Sequence, residues 1–125
     1  MILKDNLYRI TASQTSDESA FYRLSINKDW DIYKAHFPGH PVTPCVCIIQ
    51  TAVELVEAQF GQHLMLTRVK NVKFLSVLSP NDTVEVICEI TALKILDGEV
   101  SFLAVVRSDT AIFAKLSLTC STCNR

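Results

Sequence analysis

Only one stretch of this chain carries a helical period, and it is apolar around more than half of its circumference. From Pro44 to Phe60 it reads PCVCIIQTAVELVEAQF. At about 100° per residue, Val46, Ile49, Val53, Val56 and Phe60 fall on one stripe, with Ile48, Ala52 and Leu55 widening it. Gln50, Glu54 and Glu57 gather on an arc of about 60°, a single polar seam. Thr43-Pro44 reads as an N-cap and a first helical residue, and Gly61 as the stop. A helix of this kind must bury most of its surface, and no second helix is predicted to cover it.

The cover has to be sheet. Residues 6–12 and 19–27 read as two strands joined by the polar stretch from Ser13 to Ser19, and 66–78, 83–95, 99–108 and 111–120 as four more. Val84, Val86, Cys88 and Ile90 alternate with Thr83, Glu85 and Glu89; Ile112, Ala114, Leu116 and Leu118 alternate with Lys115, Ser117 and Thr119. Asp97-Gly98 and Ser108-Asp109-Thr110 supply turns, and Lys28–Asp31 another. Two strands, one long helix and four strands predict an α+β fold in which a curved antiparallel sheet wraps the helix. At 125 residues the chain reads as one domain over 1–125.

A net charge of −1 gives no electrostatic case for nucleic acid or an anionic membrane surface. No apolar run approaches about 18 residues, so no membrane span is predicted. The opening Met1-Ile-Leu-Lys-Asp has no basic segment followed by an apolar one, and the expected location is the cytoplasm. Five cysteines fit reduced thiols rather than a disulfide framework. Cys120-x-x-Cys123 invites a metal reading with Cys45-x-Cys47, but two helical cysteines roughly 200° apart suit one tetrahedral ion poorly. No metal is expected.

Ahead of the helix stands His36-Phe-Pro-Gly-His-Pro-Val-Thr-Pro44. Its prolines and glycine make a stiff, turning loop that ends at the helix start. This segment resembles the active-site motif of the FabZ/FabA-type 3-hydroxyacyl-acyl-carrier-protein dehydratases, small enzymes of the hot-dog fold. The family pattern is His-Phe-Pro-Gly-x-Pro-x-x-Pro-Gly, followed by an acid fourteen residues after the histidine. His36, Phe37, Pro38, Gly39, Pro41 and Pro44 match it. Cys45 stands where the family has glycine, and Gln50 where it has the acid. The resemblance extends through Val69–Phe74 and the Pro80-Asn-Asp82 turn, over roughly residues 20–120.

The resemblance implies a hot-dog protein acting on acyl thioesters borne by acyl-carrier protein or coenzyme A, in fatty-acid or polyene-like lipid synthesis. It also implies a homodimer at least, in which each site takes its histidine and its acid position from different subunits. His36 is the expected base, since a histidine pKa lies near working pH. The backbone N–H of Cys45, at the helix N-terminus, is the expected donor to the thioester carbonyl. Phe37, Gly39 and Pro44 are expected to contact substrate. Gln50 can position a hydroxyl or a water but cannot donate a proton at neutral pH. Glu54, one turn along the seam, is the alternative source of a carboxyl. No cofactor is implied. Two rivals stand beside the dehydratase: a hot-dog thioesterase, and a non-catalytic acyl-binding or partner subunit. His40 and His63 are expected at the surface, and Trp30 and Tyr33 in packing.

Overall fold

The computed structural model describes residues 2–35 and 39–122. Among the described residues lie β1 (Tyr8–Thr15), β2 (Ala20–Ile26), α1 (Asp31–Ala35), α2 (Cys45–Phe60), β3 (Leu64–Phe74), β4 (Glu85–Leu96), β5 (Glu99–Arg107) and β6 (Ile112–Thr122). The strands form one sheet in the order β1-β2-β4-β5-β6-β3, with every neighbouring pair antiparallel. Local hairpins make the β1-β2, β4-β5 and β5-β6 pairings. The segment holding α2 carries the chain across the sheet, so that β3 joins β6 at the far edge.

The turns follow the sequence. Asp97 and Gly98 sit at φ 52° and 76°, both left-handed, as a two-residue hairpin that favours Asp-Gly requires. Ser108 donates its N–H to Ala111 O at 2.8 Å and accepts the Ala111 N–H on its hydroxyl at 3.1 Å. Helix α2 stops at Gly61, at φ 64° and ψ 29°, with the Gly61 N–H donating to Glu57 O.

Several boundaries differ from expectation. Strand β1 starts later than predicted and runs on through the polar residues Ser13–Thr15, because main-chain pairing to Tyr22, Phe21 and Ala20 does not need apolar side chains on an edge. Strand β3 ends at Phe74 rather than at 78. Residues 31–35, of which only Asp31 is assigned by the sequence, to a turn, make the short helix α1 and bury Tyr33. The cap of α2 is Pro44, at φ −60° and ψ 144°, with no side-chain bond. Thr43 is buried instead, its hydroxyl 2.8 Å from the Tyr33 hydroxyl and its N–H donating to Leu78 O. A hydroxyl with a buried partner is not free to cap.

The buried face of α2 is also turned from the predicted stripe. Cys47, Ile48, Thr51, Ala52, Val53, Leu55 and Val56 are buried, whereas Val46 is 62% exposed and Ile49 and Phe60 are half-buried. An apolar arc this wide leaves the centre of contact undecided, and the sheet takes the side with small residues, where helix and strands approach closely. Thr51 fits there because its hydroxyl donates to Cys47 O at 2.8 Å. Opposite lie Val86, Cys88 and Ile90 from β4 and Ala114, Leu116 and Leu118 from β6, as the alternation predicts. Val84 and Ile112, the first members of those two sets, are exposed.

Two core thiols make stability sensitive to alkali. Burial first, then a nearby glutamate, pushes Cys88 up to about 12 and Cys120 up to about 11 from an ordinary 9.0. The unfolded chain loses these protons near pH 9.0 and the folded chain keeps them. The stabilisation is therefore complete below that value and is lost as pH rises through the folded pKa values. Urea midpoints are expected to fall from about pH 9 upward, and Cys88→Ala to flatten the fall.

Candidate active site

His36, Phe37 and Pro38 lie outside the described residues, so the expected base is placed here only by its sequence position. The loop resumes at Gly39 and His40, both exposed, passes half-buried Pro41 and Val42, and enters α2 through half-buried Pro44. Pro44 O accepts the N–H groups of Cys47 at 3.0 Å and Ile48 at 3.2 Å. The N–H groups of Cys45 and Val46 precede any intrahelical acceptor, and both residues are exposed. Among the described residues the helix therefore presents open donors, with its positive dipole end, where the loop of Gly39–Pro44 enters it. The thiol of Cys45 lies in solvent while that of Cys47 is in the core. Cys123, the far member of the C-x-x-C pair, is outside the described residues.

The polar seam of α2 is not a solvated strip. Glu54 is only 9% exposed and gathers donors from three directions. Its Oε1 accepts the Lys4 N–H at 2.9 Å and the Tyr8 hydroxyl at 2.9 Å. Its Oε2 accepts the Leu3 N–H at 2.8 Å and the Gln50 side-chain Nε2 at 3.3 Å. The Tyr8 phenol is pushed up, first by burial and then by the charge and hydrogen bond of Glu54, so it stays a donor. One turn on, Glu57 Oε2 accepts the Leu64 N–H at 2.8 Å and pairs with His63 Nδ1 at 2.7 Å. His63 itself is 76% exposed, as its position after the helix stop predicts.

An open groove of about 510 Å³ follows this seam, with Gln50, Glu54 and Glu57 on its helix side and Ile2, Lys4 and His63 around it. The structure thus brings Gln50 and Glu54 together, one through the other. Ahead of β1, where the sequence predicts a strand only from residue 6, Leu3 and Leu7 are buried and the Leu3 and Lys4 N–H groups hold Glu54. The signal there was weak: two leucines four apart, too short for a period to be assigned.

A second surface lies at the β3 edge. Met65 and Val69 are exposed on that strand with Arg68, Lys70 and Lys73, and Phe74, Leu75 and Val77 extend the apolar surface beyond it. A long edge strand of this kind is a template for pairing with another chain.

One antiparallel sheet folded around one long helix, entered through a proline-rich loop, defines a hot-dog protein. The chain belongs to the ApeI-like dehydratase family: the family model, described as ApeI dehydratase, matches residues 12–115. It is 31% identical over 107 residues to the 3-hydroxyacyl-[acyl-carrier-protein] dehydratase FabZ of Latilactobacillus sakei, covering 80% of this chain and 76% of that one. The FabZ of Levilactobacillus brevis is 31% identical over 101 residues, 75% of this chain and 67% of its own. Among solved structures, the dehydratase heterocomplex ApeI:P from Xenorhabdus doucetiae matches with a TM-score of 0.74 at 16% identity, covering 91% of this chain and 97% of that one. A thioesterase from Haemophilus influenzae matches at 0.64 and 14%, over 96% and 81%. At such identities these structures share the fold alone, and one fold serves both chemistries.

Proposed function

We propose that this chain dehydrates 3-hydroxyacyl groups held as thioesters on acyl-carrier protein or coenzyme A, in the cytoplasm. His36 takes the C2 proton as the C2=C3 double bond forms. The thioester carbonyl accepts the Cys45 N–H at the head of α2, where the helix dipole favours the developing negative charge. Gln50 holds the 3-hydroxyl, and the protonated His36 delivers its proton to the departing oxygen, so that water leaves and the histidine is restored. Phe37, Gly39 and Pro44 shape the loop around the acyl thioester. The observation that carries this reading is the family match together with an intact His-Phe-Pro-Gly-x-Pro-x-x-Pro run ending at open helix N–H groups.

The working unit is proposed to be a homodimer at least, in which His36 and Gln50 of one site come from different copies. The β3 edge, unpaired among the described residues and partly apolar, supports an assembly of that kind. The amide at position 50 favours one rival, a partner subunit of a second hot-dog chain, and the Xenorhabdus relative is described as a heterocomplex.

The test follows enoyl absorbance with 3-hydroxyacyl thioesters of both carriers. Wild type is expected to turn over, and Gln50→Glu to gain rate by up to about 10²-fold as a proton donor is restored. A wild type inert on both carriers, with activity only in Gln50→Glu, would replace the enzyme reading with the partner reading. Thiol release without enoyl product would favour the thioesterase.

A further inference from the structure

Buried glutamates in the middle of a helix need a reason, and Glu54 has four donors for one carboxylate. A carboxylate offers about four lone-pair positions, two on each oxygen. Lys4 N–H and Tyr8 O–H fill those of Oε1; Leu3 N–H and Gln50 Nε2 fill those of Oε2. A proton on either oxygen would have to displace a donor, so Glu54 is built to accept rather than to give.

That fixes the amide of Gln50. Only the Nε2 end can face a filled carboxylate, because turning the amide over would set its carbonyl oxygen against Glu54 Oε2 and lose the bond. Gln50 Oε1 is therefore held on the side away from Glu54. An unfixed amide could present either end to a substrate, acceptor or donor. This one presents its carbonyl.

We infer that Glu54 is a positioning residue for Gln50: it locks the side-chain amide so that Oε1 accepts a hydrogen bond from the hydroxyl of a bound 3-hydroxyacyl group. Resting on the dehydratase reading above, the inference deepens it. A hydroxyl that donates to Oε1 keeps its lone pairs free for the proton brought by His36. The amide then orients the leaving oxygen without protonating it, and Glu54 acts through the amide rather than as the acid.

A double-mutant cycle separates this from an independent or purely structural role. In the dehydration assay Glu54→Gln is expected to lower kcat about tenfold, as a misplaced contact does, with KM within about twofold. In a Gln50→Ala background the same change is expected to cost no further kcat, since nothing is left to orient. An equal loss in both backgrounds overturns the inference, as it would if Glu54 were the acid or only held the fold.

A second measurement needs neither turnover nor a folded Glu54 variant. In the ¹⁵N spectrum of wild type, the Gln50 side-chain amide is identified by its disappearance in Gln50→Ala. One of its two protons is expected well downfield of its twin, bonded to the carboxylate. Two protons at ordinary solvent positions overturn the inference whatever the assay gives. The downfield proton in a protein inert on every thioester would instead sink the dehydratase reading and leave the locked amide in place.

Discussion

His36→Ala is expected to lower the dehydration rate by about 10²–10⁴, the usual cost of removing a general base. In the proposed cycle one imidazole removes the C2 proton and then returns it to the departing hydroxyl, and no other described side chain on the seam is placed to share that work. Glu54 and Glu57 are occupied by the main chain and by Tyr8 and His63. The loss should therefore exceed that of Gln50→Ala, which removes orientation only. KM should move little, because the acyl chain and carrier contribute most of the binding. Steady-state kinetics on one 3-hydroxyacyl thioester settle it: a His36→Ala enzyme within about threefold of wild type would place the base elsewhere.

Glu54→Ala is expected to be the costliest single change outside the apolar core. It strands the Leu3 N–H and the Tyr8 phenol, which the fold has taken out of water, and the Lys4 N–H of an exposed residue. Unpaired buried donors cost about 1–3 kcal/mol each, and the open groove lets water repair part of that. A net loss of about 3 kcal/mol follows, lowering Tm on the order of 10 °C for a domain of this size. Tyr8→Phe removes one donor and leaves the carboxylate three, so it should cost only about 1 kcal/mol. Thermal unfolding of both variants checks the order. A Glu54→Ala protein as stable as wild type would mean that burial of Leu3 and Leu7, with the bonds from Asn27 to Asn6 O and Leu7 O, suffices to hold residues 2–7.

What could be read from the sequence was what neighbours in the chain decide. Gly61 ends α2 because a left-handed residue is needed there, and Asp97-Gly98 turns the chain for the same local reason. Alternation in β4 and β6 gave the inward faces because strand side chains point by parity. Contacts between distant residues decided the rest. Thr43 reads as a cap until Tyr33, ten residues earlier, takes its hydroxyl. Val46 reads as core until the sheet chooses the face with Cys47 and Ala52. In the candidate site, the loop motif was visible as a motif, and the Gln50–Glu54–Glu57 seam was visible as a period. That Glu54 is anchored to residues 46 to 51 positions away was not, since no spacing rule joins a helix carboxylate to the start of the chain.

The grip of Glu54 on Lys4 has an evolutionary side. It is made to a main-chain N–H, an atom that every amino acid except proline supplies, and the Lys4 side chain is exposed. Position 4 can therefore drift through almost the whole amino-acid alphabet while the anchor holds. A residue that matters to the fold would leave almost no trace in the variation seen at that position, beyond the absence of proline.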